Sequence, residues 1–99
     1  MLRPRFFAEG MKLVSPNRSQ TEVQSTAVIQ VQNPRQRWLM AAFNKKGEEE
    51  STKYSQTTDR SGQISCSFPN GGTYEVKLFS GSQQYGKYAY LGQLEFNKR

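Results

Sequence analysis

The sequence predicts an all-β fold, a seven-stranded antiparallel sandwich, and three observations predict it. Turn-forming clusters (SPNRSQT, NPRQ, NKKGEEES, TTDRSG, PNGG, SGSQQYGK) recur about every ten residues, the spacing of short strands joined by tight connections. The segments between them are rich in β-branched and aromatic residues, several with a period of two. Helical periodicity, internal repeats and low-complexity tracts are absent along the whole chain.

The segments follow in order. The first is RFFAEGMKLV. The second, EVQSTAVIQVQ, sets Val23, Ala27, Ile29 and Val31 on one parity and Glu22, Gln24, Gln30 and Gln32 on the other, which is the pattern of a half-buried strand. The third is RWLMAAFNK. The fourth, STKYSQTT, is polar and reads as an edge, where polarity discourages unwanted pairing. The fifth, QISCSF, turns Ile64, Cys66 and Phe68 to one side. The sixth is TYEVKLF and the last KYAYLGQLEFN. Seven such segments suit the immunoglobulin-type layout. Trp38 in the third is expected in the core, and Tyr74, after a glycine-rich corner, is expected to bond its hydroxyl back to the chain.

Bulk properties bound the function. The 99 residues form one domain over 1–99, expected to be a module of a larger protein. No apolar run approaches the ~20 residues of a bilayer span. The opening stretch MLRPRFFAEGMKLVSP has no continuous apolar region, so no signal peptide is expected. A single cysteine, Cys66, allows no internal disulfide. With no secretory signal, this points to a reducing, cytoplasmic setting, and the sequon Asn17-Arg18-Ser19 is taken as chance. The net charge of +6 comes from bases scattered along the chain and reads mainly as solubility.

Catalytic and metal chemistry find no residues to run on. The chain has no histidine, which removes Ser-His-Asp and Cys-His catalysis and histidine-based zinc sites. Cys66 shares the parity of Ile64 and Phe68, so it is expected to be buried as a small hydrophobe. Glu48, Glu49 and Glu50 beside Lys45 and Lys46 suit a solvated hairpin tip and lack the alternating ligand pattern of a Ca²⁺ loop. SGSQQYG precedes no helical pattern, so it forms no phosphate cradle. No catalytic residue, no cofactor and no metal site is assigned, and no enzymatic activity is expected.

An interaction surface is the remaining candidate. WLMAAF is apolar on both parities, whereas an antiparallel sandwich strand shows one face to water. With Trp38, Met40 and Ala42 inward, Leu39 and Phe43 point out. Phe79 breaks the polar parity of the sixth segment, and Leu91 does so in the seventh. The third, sixth and seventh strands adjoin in this layout. Leu39, Phe43, Phe79 and Leu91 are therefore expected to form an outer patch that meets a protein partner, a neighbouring domain or a second copy.

Both ends of the chain carry motifs of a known family. Pro4-Arg5-Phe6 followed by Gly10-Met11-Lys12-Leu13-Val14-Ser15-Pro16 forms the opening motif. Pro69 to Phe79 forms a P-x-x-G-x-Y-x-V-x-L-F corner, and Tyr88 to Phe96 a closing Y-x-x-L-G-x-L-x-F strand. In these the sequence resembles the β-sandwich modules that accompany transglutaminase-like domains in the kyphoscoliosis-peptidase family. The resemblance covers about half the chain and implies a non-catalytic accessory module. The family's Cys, His and Asp site belongs to the other domain, and no residue of it is carried over. An alternative reading from the residues is an OB-like binder of single-stranded nucleic acid, which would stack bases on Tyr54, Tyr85, Tyr88 and Tyr90 beside Lys87.

Overall fold

The computed structural model of the chain describes residues 12–16, 20–33, 37–48, 55–82 and 87–99. Among these every regular element is a strand: β1 (Lys12–Ser15), β2 (Gln20–Val23), β3 (Thr26–Gln32), β4 (Trp38–Lys45), β5 (Ser55–Asp59), β6 (Gln63–Ser67), β7 (Gly72–Ser82) and β8 (Lys87–Lys98). No described helix is long and apolar enough to cross a membrane. A three-stranded sheet in the order β1-β3-β6 packs on a five-stranded sheet in the order β2-β8-β7-β4-β5.

The expected sandwich is present, with its first strand divided. β1 pairs antiparallel with β3, and the chain then crosses over so that β2 pairs parallel with β8 in the opposite sheet. β1 and β2 thus act as two halves of one strand of the seven-strand layout. The second segment loses its opening residues to this crossover: Glu22 and Val23 belong to β2, and a bend at Gln24-Ser25 separates them from β3. The polar fourth segment does form an edge, β5, on the five-stranded sheet. Arg5 to Met11 of the first segment, Glu49 and Glu50 of the acidic tip, and the Asn17-Arg18-Ser19 sequon lie outside the described residues.

Alternation places the core. Ala27, Ile29 and Val31 of β3 and Ile64 and Cys66 of β6 meet Tyr74, Val76 and Leu78 of β7 and Leu94 and Phe96 of β8, all buried. Cys66 is a buried thiol, as its parity predicts. Gly62, just ahead of β6, has a positive φ of 95°. A Cβ there would sit 2.6 Å from the Val31 carbonyl, so glycine is required where Val31 N–H donates to the Gly62 carbonyl at 2.7 Å.

Tyr74 forms the expected corner. Its hydroxyl donates to the Asn70 carbonyl at 2.9 Å and accepts from the Asn70 N–H at 3.2 Å. The ring stacks on Phe68 at 4.4 Å between centroids and meets Phe43 edge-on at 6.1 Å. Phe43 and Phe68 complete the group with a T-shaped contact at 5.0 Å. Such pairs add about 0.5–1.5 kcal/mol beyond the area they bury.

Two measurements follow. Tyr74→Phe should lower stability by about 0.5–1.5 kcal/mol, or more if the Asn70 backbone is left unsatisfied, read as a lower denaturant midpoint at unchanged slope. Cys66 should resist a thiol reagent under native conditions and react only as fast as the domain opens. Rapid stoichiometric labelling would contradict its position in the core.

Candidate interaction surface

β4 was the ambiguous strand in the sequence, and β7 settles its register. Phe43 lies opposite Val76, Ala41 opposite Leu78 and Leu39 opposite Ser80, so these residues share the inward face of β7. Leu39 and Phe43 are each 1% exposed, which overturns their expected place on the outer surface. Because side chains alternate with a period of two, Trp38, Met40 and Ala42 go to the other face, and all three are only half-buried. The expected core tryptophan is therefore an outer residue, and Phe43 fills the core against Tyr74 and Phe68.

Leu91 is corrected for a different reason. The pairing of β7 with β8 shifts between Leu78 and Phe79: Leu78 faces Gly92, but Phe79 faces Tyr90. Leu91 is the extra residue of this β-bulge and turns inward, 7% exposed. Beyond the bulge the parity of β8 is reversed, which turns Tyr90 outward. Of the four predicted patch residues only Phe79 lies on the outer face, half-buried there.

An outer apolar patch exists nonetheless, with other members. Met40, Phe79 and Tyr90 lie directly across β4, β7 and β8 from one another. The Phe79 and Tyr90 rings meet at 5.7 Å between centroids and 62°. Tyr90 is 56% exposed. Trp38 extends the row at the end of β4, and the Arg60 guanidinium lies 5.5 Å from its ring centroid, within cation–π range. These residues were not identifiable without the register of β4 and the bulge in β8. The one usable sequence signal was Phe79, whose neighbours Tyr74, Val76 and Leu78 alternate cleanly with Glu75 and Lys77.

The same face becomes polar toward its other end. The next row holds Ala42, Lys77 and Gln93, then Asn44, Glu75 and Glu95, then Thr73 and Asn97. Gln93 Nε2 donates to Glu75 Oε2 at 2.6 Å. Glu95, only 4% exposed, accepts from Lys46 Nζ at 3.1 Å, an ion pair that compensates a carboxylate withdrawn from water. A groove of about 290 Å³ beside it is lined by Thr21, Glu22, Thr73, Glu95 and Asn97. Among the described residues no group of His, Cys, Asp and Glu is placed to hold a metal ion. Of the tyrosines proposed for base stacking, Tyr54 and Tyr85 lie outside the described residues, as does the side chain of Tyr88, while Tyr90 packs on Phe79.

Two packed sheets of three and five strands, a tyrosine corner at the start of β7 and adjoining β4, β7 and β8 define an immunoglobulin-like β-sandwich rather than an OB-like barrel. The chain belongs to the KY-like, immunoglobulin-like domain family, whose model matches residues 1–97. No curated protein matches the sequence. Domains of this immunoglobulin-like kind are generally non-catalytic.

The two faces of the five-stranded sheet make a direct comparison. Phe43→Ala should cost about 3–5 kcal/mol through loss of burial and a cavity between the sheets. Phe79→Ser should cost less than about 1.5 kcal/mol, because only part of that ring is removed from water. Chemical denaturation of both variants checks the assignment, and equal losses would refute it.

Proposed function

We propose that this domain is a non-catalytic interaction module that docks another folded domain on the outer face of its five-stranded sheet. In its parent protein the partner is a transglutaminase-like domain, as the family resemblance implies. The observation that carries this reading is the aromatic row of Met40, Phe79 and Tyr90, extended by Trp38, on a sheet face that would otherwise be polar. Aromatic side chains of this kind act as anchors in protein interfaces. The surroundings favour a protein over a nucleic acid. Arg60 already lies over Trp38, and the adjoining rows mix Lys77 and Lys46 with Glu75 and Glu95, where a phosphate chain would need an uninterrupted line of bases. A buried thiol outside any disulfide at Cys66 is compatible with a reducing, cytoplasmic setting.

Calorimetric titration with a separately expressed transglutaminase-like domain of a KY-type protein tests this. Binding should be weakened roughly tenfold or more by Phe79→Ser and by Trp38→Ala, a loss of about 1.4 kcal/mol or more. Both variants should keep the parent's fold. Unchanged affinity in both would overturn the proposal, as would salt-dependent binding of a single-stranded oligonucleotide through Tyr90.

A further inference from the structure

β6 is the edge of the three-stranded sheet, with β3 as its only partner among the described strands. In a constant-type immunoglobulin layout the fourth strand covers this edge. Here the fourth segment forms β5 and has joined the opposite sheet, on the far side of β4. Because of that exchange no other described strand covers the edge.

The backbone bonds show which residues face outward along the edge. Val31 N–H donates to the Gly62 carbonyl, and Phe68 N–H donates to the Ser25 carbonyl at 3.3 Å. In an antiparallel pair, residues that bond across the ladder alternate with residues that do not. The even-numbered residues of β6 therefore bond to β3, opposite Ile29 and Ala27, and Gln63, Ser65 and Ser67 turn their N–H and carbonyl groups away. Ser61 Oγ takes up the Gln63 N–H at 3.4 Å. Among the described residues, Ser65 and Ser67 are left presenting both groups along the edge.

This edge also lacks three of the usual defences against pairing: charge, proline and bulges. β1 begins with Lys12 and bulges at Val14, β2 holds Glu22 and β5 ends at Asp59. The β6 sequence QISCS has no charge, no proline and a regular register with β3. In a chain of net charge +6 it is a place where two copies can approach with little local repulsion.

We propose that β6 is a self-association edge, at which two copies of this chain pair β6 to β6 antiparallel about Ser65. The Ser65 residues of the two copies exchange both backbone bonds. Each Ser67 N–H reaches the Gln63 carbonyl opposite, so the Ser61–Gln63 bond stays intact. Gln63 of one copy then lies across from Ser67 of the other, and no like charges meet. The two three-stranded sheets join into one continuous sheet. The association uses backbone bonds and opposes the net charge of the two copies, so salt strengthens it by screening. The surface is separate from the Met40–Phe79–Tyr90 row.

Sedimentation equilibrium of the whole chain from micromolar to millimolar concentration provides the test, with amide exchange at Ser65 and Ser67 followed alongside. The average mass should rise from 11.3 kDa toward twice that value, and more so at higher salt. Both amides should exchange more slowly as concentration rises. Ser65→Pro, which removes the central donor, and Ser65→Lys, which keeps the donor but sets like charges opposite each other, should each weaken association roughly tenfold or more. Phe79→Ser should leave it unchanged, which separates this edge from the docking face. A mass that stays monomeric at every concentration overturns the proposal. So does a dimer that persists in Ser65→Lys with exchange at Ser65 independent of concentration.

Discussion

Tyr74 is held at both ends, and the rest of the sandwich is arranged around it. Its hydroxyl closes the Asn70 corner, while its ring lies flat on Phe68, just past the end of β6, and edge-on to Phe43 from the neighbouring strand. These contacts fix where β7 starts, which of its faces looks inward and how far apart the sheets stand. Every residue paired with β7 inherits that choice. Val76 and Leu78 follow Tyr74 into the core. Phe43 and Ala41 follow from β4, and Leu94 and Phe96 from β8. Rows of opposite parity are thereby committed to the outside, whatever their hydrophobicity.

That dependence explains how much could be read in advance. β6 alternates cleanly, and β3 and β7 do so but for Val28 and Phe79, so Ile29, Cys66 and Val76 could be placed from the residues alone. The Tyr74 corner was also legible, because a glycine-rich turn ahead of a tyrosine leaves little choice of partner for the hydroxyl. β4 was not legible: Trp38 to Phe43 is apolar on both parities, and nothing local says which set is inner. Leu91 was misplaced because a bulge adds a residue without leaving a turn signal. The break at Gln24-Ser25 was missed since Val23 keeps the parity of β3 across it. In each instance the deciding information lies on the partner strand.

The outer patch survives as an idea while most of its members change. Phe79 is common to both versions, and it was identified by a local irregularity in an otherwise regular strand. Trp38, Met40 and Tyr90 join it because they are opposite Phe79 or in line with its neighbours. Tyr90, more than half exposed, leaves part of this row open to water. The charged rows beside it keep that face soluble when it is uncovered.

The bulge at Leu91 has a consequence for how this domain can change its length. Loops between strands absorb added or lost residues with little effect on faces. In β8 a single deletion near Leu91 would restore an unbroken ladder and leave Leu94 and Phe96 where they are. With Leu91 itself removed, Tyr90 would stay opposite Phe79 on the outer face, and what is lost is the Leu91 side chain from the core. The bulge is therefore a store of one residue: β8 can give it up without turning either of its faces, at the expense of the apolar side chain that residue buries.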